Sequence, residues 1–493
     1  MSFISTIQYY YFRQFAKLVH VNRFHATDCQ QNIFSELIQN GSHTAFGKEH
    51  CFKNIKNYDD FKRHVPVRTY EAFKPYIQRI FNREKDVLWP GLPDYFGKTT
   101  GTTDASKYLP VTNAFLSCTQ YAAKYMLCNL AMLKGHARFI GKKVFYLDDQ
   151  QEFENINGFA CGAISAIKSS RMPTWAKSFS FPGSCLNGLT EPAQRLNTII
   201  DTIPVNDINM AVALPVWLSH FLNEFEKRKG RKFKAFFPQF SVLFLTGMNC
   251  EPYEQLIYEH MGGDLIILEN YTATEGNFAY QPVPGVKGME LICNQGIFYE
   301  FIPLKEASSP QPARIQLKDV SLFQRYAIVI SVCNGLWAYM MNDMVEFVSL
   351  NPYRLIICGR LNDIFSPFGE HMLPIQAEQA MAKTSTQANS IIRDFLIVPD
   401  FEASRYRCYI DFELAPTDIK TFQLLLDQNL CSKNSYYHDL SKASVINQPD
   451  IIPVSERFFH NIDVKHVTAQ SKTKHLSQDQ HIMRKAATLC GID

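Results

Sequence analysis

The chain has 493 residues, 46% of them hydrophobic and 20% charged, with 50 Lys and Arg against 47 Asp and Glu for a net charge of +3. That length predicts two or more domains of ordinary globular composition, and no basic block is dense enough to make nucleic acid the partner. The 13 cysteines contain no Cys-x-x-Cys pair, which argues against a structural zinc site or disulfide framework and for a reducing, cytoplasmic setting.

Residues 1–40 carry apolar positions at helical spacing, Phe12, Phe15 and Leu18, then Ile33, Leu37 and Ile38, and read as core helices. They lack the Lys/Arg start and apolar run of a secretory signal. A membrane-surface role for Tyr9-Tyr-Tyr-Phe12 is the minor alternative, and no segment approaches the ~20 apolar residues of a membrane span. Thr44-Ala-Phe-Gly-Lys-Glu-His50 reads as a turn, and 58–81 as helix, turn, helix, broken at Pro66. A helix is predicted over 115–132, a strand over Lys143–Leu147, and a Gly-punctuated stretch over 158–165. Asp148-Asp149 reads as solvated charge in a loop rather than a metal site.

The middle third alternates strand and helix: strand 210–213, helix 217–229, strand 242–245, helix 253–261, strand 265–268. That alternation argues for a parallel sheet covered on both faces. Ligand loops in such sheets lie at the carboxyl ends of strands, where Thr246-Gly-Met-Asn249 and Tyr271-Thr-Ala-Thr-Glu275 fall. After Gly288 the strands shorten and look antiparallel, with Ala327-Ile-Val-Ile-Ser-Val-Cys333 as a buried one, and Gly359-Arg-Leu-Asn-Asp363 marks a domain boundary.

The chemistry centres on Thr99-Thr-Gly-Thr-Thr103, followed by Lys107. Hydroxyls, a flexible backbone and a nearby cation are the ingredients of a polyphosphate cradle. A solvated Thr-rich turn is the rival reading. Gly97-Lys98-Thr99 imitates the end of a P-loop, but the required first glycine position holds Leu92 and Pro110 stands where a helix should run, so that motif is rejected. Downstream, Glu275 can hold Mg²⁺ against a triphosphate and Tyr271 can stack on a base. Asp343 can accept two hydrogen bonds from a ribose diol. Each is a weak signal alone, since most acidic residues near strand ends are simply solvated.

Their order is informative. Thr99–Thr103, Tyr271-Thr-Ala-Thr-Glu275, Phe298-Tyr-Glu-Phe-Ile-Pro303, Asn334-Gly-Leu-Trp337, Gly359-Arg360, Phe368-Gly-Glu370 and Gln470-Ser-Lys472 together resemble the acyl-adenylating superfamily. Within it the chain looks most like the acyl-acid amido synthetases, the auxin- and jasmonate-conjugating family with bacterial members. Thr44–His50 and Phe61–Tyr70 resemble that family's entry segments.

The resemblance implies an α/β fold. A large N-terminal domain, 1–360, would hold parallel-rich sheets covered by helices, and a small mobile α+β domain, 361–493, would follow. It implies ATP and Mg²⁺ as cofactors, a small-molecule carboxylic acid and an amino acid or other amine as partners, and a monomer. By the same resemblance Thr99, Thr100, Gly101, Thr102 and Thr103 hold the β,γ-phosphates, Thr274 the α-phosphate and Glu275 the Mg²⁺. Gly247 lets the chain pass close to adenine, Asp343 and Arg360 anchor ribose and hinge, and Lys472 is catalytic. A surface lysine in a polar tail is the bland alternative for Lys472. Tyr121, Tyr125 and Ile164 are candidate acyl-pocket residues, suited to an aryl or cyclic acid, though aromatic stripes are equally core. The chain departs from the family pattern at Ala338-Tyr339 (Arg-Tyr), Asn342-Asp343 (Gly-Asp), Gly369-Glu370-His371 (Gly-Glu-Lys) and Pro374 (Glu). Two other readings stay open: a coenzyme A ligase, against which the family landmarks favour the amide-forming branch, and a nucleotide-binding interaction protein with lost or redirected catalysis, which the departures at Ala338, His371 and Pro374 support.

Overall fold

The computed structural model describes residues 23–99, 106–132, 141–147, 153–172, 174–186, 189, 191–247, 249–307, 309, 311–462 and 474–491. The predictions at Tyr9–Phe12, Phe15, Leu18 and Asp148-Asp149 lie outside them. The chain divides into two compact units, residues 1–211 with 267–356, and 212–266 with 357–493.

In the first unit, helix Ala26–Gly41 buries Ile33, Phe34, Leu37 and Ile38 along one face, as their spacing predicts. Its Gln30 is buried, and the side-chain amide donates to the carbonyls of Cys293 and Ile297, each at 2.9 Å, while accepting from Tyr299 N–H at 2.8 Å. One polar residue thereby satisfies three backbone groups of the sheet beneath it. Thr44–His50 is not the predicted turn: Ala45–Glu49 is a short helix, capped by Thr44 Oγ1 accepting from Gly47 N–H at 3.0 Å. A cap can start a helix too short to show periodicity. Helices Tyr58–His64 and Tyr70–Phe81 flank the break at Pro66 as expected.

Between Gly288 and Gly359 the strand pairs described are antiparallel, as predicted, but the strands do not shorten: Tyr339–Leu350 runs to 12 residues. Strand Ile297–Pro303 pairs with Ile315–Gln316 on one side and Arg325–Val332 on the other, and the latter pairs with Tyr339–Leu350. The first and third of these strands are buried almost throughout, which explains their continuous apolar runs. The strand predicted at 265–268 runs on as Ile266–Ala273 and folds back on Gly276–Tyr280. Tyr271-Thr-Ala-Thr-Glu275 is therefore mostly strand rather than loop, because backbone pairing continues past the end of the apolar stretch.

A separate four-stranded sheet has the order Lys107–Val111, Tyr95–Thr99, Phe159–Gly162, Glu154–Ile156. Its first two strands are antiparallel, and Tyr95–Thr99 is parallel to Phe159–Gly162. Helix Asn113–Met132 begins beside it, with Thr112 Oγ1 accepting from Phe115 N–H and donating to the Cys333 carbonyl.

The second unit contains helices Pro215–Lys229 and Glu254–Met261, strand Val242–Thr246, and a three-stranded sheet of Ile391–Asp400, Arg405–Leu414 and Asp450–Val454. Phe395 and Ile397 pack into one core with Met381, Phe422 and Leu426. Leu396 and Val398 pack into another with Phe458 and Ala486. Alternate residues of one strand thus feed two apolar faces, each closed by helices, a consequence of the two-residue period.

Candidate active site

In the first unit, the Thr-rich stretch joins two antiparallel strands whose last pair is Thr99 opposite Lys107. Thr100, Gly101, Thr102 and Thr103 lie outside the described residues. Lys107 Nζ stands 5.7 Å from the centroid of the Tyr70 ring, and Tyr70 Oη accepts from Tyr108 N–H at 2.8 Å. Lys98, the lysine of the false P-loop, instead faces Glu154 at 3.2 Å, and Tyr108 Oη donates to the same carboxylate at 2.7 Å. That hydrogen bond holds the Glu154 carboxyl below its ordinary pKa. Burial, then Glu154, push the Tyr108 hydroxyl up to about 12.

Thr274 and Glu275 form the two-residue turn between paired Ala273 and Gly276. This turn meets the Thr99 strand closely, for a methyl group at Gly97 would lie 2.6 Å from Thr274 Cγ2. Only a bare backbone fits there. Glu275 Oε1 accepts from Tyr339 Oη at 3.3 Å. Next to it, Tyr271 Oη donates to Asp343 Oδ2 at 2.6 Å. Tyr271 is buried, its ring 4.8 Å from that of Phe278, so the structure presents it as a hydrogen-bonding residue and not as an open stacking face. Burial, then the Asp343 charge, raise its hydroxyl well above the ordinary tyrosine value. Asp343 itself sits in a bulge, since Val329 pairs with Met340 but Ala327 pairs with Met344. Such bulges re-aim side chains beside functional sites.

Segment 66–69 brackets this strand: Arg68 N–H donates to the Ala338 carbonyl at 2.9 Å, and Met340 N–H to the Arg68 carbonyl at 2.8 Å. The Asn334-Gly-Leu-Trp337 landmark proves to be a packing node. Trp337 is fully buried, its Nε1 donates to the Leu88 carbonyl, and its ring meets Phe46, Phe52 and Trp89.

Of the acyl-pocket candidates, Tyr125 is buried in a cluster with Ala122, Tyr280 and Ile292, and Tyr121 packs on its edge. Ile164 is half-buried at the start of helix Ile164–Ser170. Composition did not single out Lys168 or Asn277. Lys168 Nζ donates to Asn277 Oδ1 at 2.9 Å, and Asn277 Nδ2 to the Thr119 carbonyl at 3.2 Å. They join helix Ile164–Ser170, strand Gly276–Tyr280 and helix Asn113–Met132. The available signals were the position of Asn277 two residues after Glu275 and of Lys168 shortly after Gly162.

In the second unit, Gly247 follows strand Val242–Thr246 with φ +89°. Arg360 ends strand Tyr353–Arg360, after Gly359 at φ +119°. Asp363 of the adjoining turn accepts from Lys474 Nζ at 3.0 Å. Lys472 lies outside the described residues. Among the described residues, His220, Glu224 and Glu456 bring ligand atoms within 4.8 Å of one another. Lys227 Nζ already stands 2.8 Å from Glu224 and 2.9 Å from Glu456, so the group reads as an ion-pair network. Glu275 is half-buried at a turn beside the Tyr339 hydroxyl.

The GH3 family N-terminal domain matches residues 17–196, its central domain 290–360 and its C-terminal domain 375–481. The chain belongs to the GH3 family. A curated relative, the jasmonoyl–L-amino acid synthetase JAR4 of Nicotiana attenuata, is 20% identical over 403 residues, 67% of this chain and 69% of the relative. The solved structure of GH3.15 acyl acid amido synthetase matches 96% of this chain and 95% of its own at 14% identity, with a TM-score of 0.78. A 2-hydroxyisobutyryl-CoA ligase in its postadenylation state matches 94% of this chain and 92% of its own at 12% identity, with a TM-score of 0.57. The α/β architecture expected from the sequence is therefore the fold of this GH3 chain. Because a CoA ligase shares it, fold alone does not select the acceptor.

Proposed function

We propose that this GH3 chain is an AMP-forming ligase. It activates a small carboxylic acid with ATP and passes the acyl group to an amine, foremost that of an amino acid. The carrying observation is the convergence, within the first unit, of Gly97, Thr274 and Glu275 with Tyr339, beside the Tyr271–Asp343 pair. These residues are far apart in the chain, and they supply hydroxyls, a carboxylate and a close backbone approach. The glycine contact and the half-buried carboxylate fit a polyphosphate with its cation.

In the first half-reaction the acid's carboxylate oxygen bonds to the α-phosphorus, and the bond from that phosphorus to the bridging oxygen breaks, releasing pyrophosphate. Negative charge gathers on phosphate oxygens, so fixed donors stabilise the transition state. Thr99, Thr100, Gly101, Thr102 and Thr103 would hold the β,γ-phosphates, and Thr274 the α-phosphate. Glu275 would ligate Mg²⁺, which when bound neutralises phosphate charge. Gly247 lets the chain pass close to adenine, Asp343 with Tyr271 receives the ribose, and Arg360 anchors the hinge. Lys472 meets the reacting carboxylate and α-phosphate. In the second half-reaction the amine nitrogen bonds to the acyl carbon, loses a proton and expels AMP.

Residues 361–493 are proposed to swing about Gly359–Asp363 between the two steps, since one site serves two geometries. Tyr121, Tyr125 and Ile164 are proposed for the acyl side, where Tyr125 doubles as core. The protein is proposed to be a cytoplasmic monomer. No described helix is long and apolar enough to cross a membrane.

The test is carboxylate-dependent exchange of labelled pyrophosphate into ATP across a panel of acids, followed by addition of amino acids or coenzyme A. Exchange followed by an amide product supports the reading. A thioester product would favour the CoA-ligase alternative, for which the shared fold speaks. ATP binding without exchange would favour an interaction protein.

A further inference from the structure

Two cysteines far apart in the chain meet in the first unit. Cys118 lies in the first half of helix Asn113–Met132, and Cys333 directly follows strand Arg325–Val332. The Cys333 thiol donates to Cys118 Sγ at 3.7 Å. Room for this contact comes from Gly296, at φ +57°, where a methyl group would lie 2.6 Å from Cys118 Sγ and 2.8 Å from Cys333 Sγ. The backbone beside the pair is fixed. Cys333 N–H donates to the Gly296 carbonyl at 3.0 Å, and the Cys333 carbonyl accepts from Thr112 Oγ1 at 2.9 Å. The two thiols are unlike: Cys333 is 5% exposed, whereas Cys118 is half-buried. The hydrogen bond between them lowers the Cys118 pKa, and the same bond, then burial, raises that of Cys333 well above the ordinary thiol value. An accessible thiol of lowered pKa beside a buried partner thiol is the arrangement of a peroxide-reactive cysteine with its resolving cysteine.

We propose that Cys118 and Cys333 form a reversible oxidation site, a dithiol that a hydroperoxide converts to a disulfide joining helix Asn113–Met132 to the end of strand Arg325–Val332. The Cys118 thiolate attacks one peroxide oxygen and is oxidised to a sulfenic acid. The O–O bond breaks, and the other oxygen leaves as an alcohol or water after taking up a proton. The Cys333 sulfur then bonds to the Cys118 sulfur, the S–O bond breaks, and the hydroxyl leaves with the Cys333 proton as water. Bonding draws the sulfurs well inside their present separation and shifts the helical turn that carries Cys118. The next residue, Thr119, offers its carbonyl to Asn277 Nδ2 at 3.2 Å, and Asn277, two residues after Glu275, accepts from Lys168 Nζ at 2.9 Å. Oxidation therefore disturbs the strand that leaves Glu275 and lowers acid activation. This consequence, unlike the oxidation itself, rests on the reading of the chain as an acyl-adenylating ligase.

The full chain as wild type, Cys118→Ser and Cys333→Ala is treated with stoichiometric hydrogen peroxide, and half of each sample is then reduced with dithiothreitol. Peptide mass spectrometry reads the cross-link, and pyrophosphate exchange reads activity. A peptide linked through Cys118 and Cys333 is expected in the oxidised wild type and in neither variant, and reduction should abolish it. Exchange by the oxidised wild type should fall by on the order of ten-fold and return on reduction, while both variants stay within about two-fold of their untreated rates. No linked peptide in the wild type would overturn the proposal. So would a link that leaves exchange unchanged, or an equal loss of exchange in Cys118→Ser. Absence of exchange in the reduced wild type would overturn the ligase reading alone, and the linked peptide then decides the oxidation site by itself.

Discussion

Replacing His475 by Gln should remove a specific pH dependence of stability. Burial alone would lower the imidazole's pKa, but the Asp394 and Glu378 carboxylates beside it override that effect and raise it from the ordinary 6.5 to about 9. The folded protein therefore binds this proton more tightly than the unfolded chain does. The stabilisation is fully present below pH ~6.5 and is lost as pH rises through ~9. At ~1.4 kcal/mol per ten-fold, that rise corresponds to about 3 kcal/mol. The facing groups are Glu378, Asp394 and Tyr253, whose own hydroxyl is raised well above its ordinary value by burial and then by these carboxylates. Urea unfolding of wild type and His475→Gln, followed from pH 6 to pH 9.5, isolates this contribution because other titrations cancel in the comparison. The variant should be the less stable at pH 6, where it leaves Glu378 and Asp394 without their cation. The gap should close as pH approaches 9.5. Parallel profiles, with a gap independent of pH, would refute the assignment of a buried imidazolium.

Lys472→Ala should slow pyrophosphate exchange by at least ~100-fold, the scale for one preorganised transition-state donor; an unchanged rate removes Lys472 from the mechanism. Glu275→Ala should raise the Mg²⁺ concentration needed for half-maximal exchange, and a titration matching wild type would count against its role as ligand. Gly97→Ala places a methyl 2.6 Å from Thr274 Cγ2 and should depress exchange by on the order of ten-fold through displacement of Thr274. Adding Thr274→Ser, which deletes that methyl but keeps the hydroxyl, should restore most of the rate; a double variant no better than the single would show that the contact does not position Thr274.

Much of the fold was legible because it obeys local periodicity. The 3.6-residue stripe of Ile33, Leu37 and Ile38, the proline break at 66, and the strand–helix alternation from 208 to 261 all appear where patterning puts them. The failures have physical causes. Helix Ala45–Glu49 is set by its Thr44 cap, and five residues are too few to show a period. Strand Ile266–Ala273 outruns its apolar stretch because Thr272 and Ala273 gain backbone partners across the hairpin. Tyr339 and Glu275 are 64 residues apart, and His475 is an unremarkable letter until Glu378, Asp394 and Tyr253 surround it. The motif order, by contrast, marked Thr274, Glu275 and Asp343 before their partners were visible.

Two of the departures from the family pattern, Asn342 and Pro374, suit the local backbone, and two, His371 and Ala338, change charge. Asn342 has φ +65° within the bulge that carries Asp343. A glycine would suit that left-handed backbone, and Asn is among the side chains that tolerate it best. Pro374 opens helix Pro374–Gln387 at a first-turn position where its missing N–H is harmless. His371 is exposed at φ +47°, its Nδ1 3.3 Å from Ser366 Oγ and its ring 5.9 Å from Tyr436. Ala338 is different. It is fully buried at φ +45°, with its N–H on Ser331 Oγ and its carbonyl on Arg68 N–H. The backbone there is held firmly, but the methyl supplies none of the charge of the family's arginine. The guanidinium of Arg68, whose backbone brackets Ala338, lies 5.1 Å over Phe46 and 2.9 Å from His50 Nε2, engaged in its own packing. Ala338 thus keeps the backbone beside Tyr339 firmly placed while bringing no positive charge of its own. If the chain acts as the proposed ligase, the departures at Ala338 and His371 are expected to tell in the second half-reaction, as altered acceptor choice, rather than in the fold.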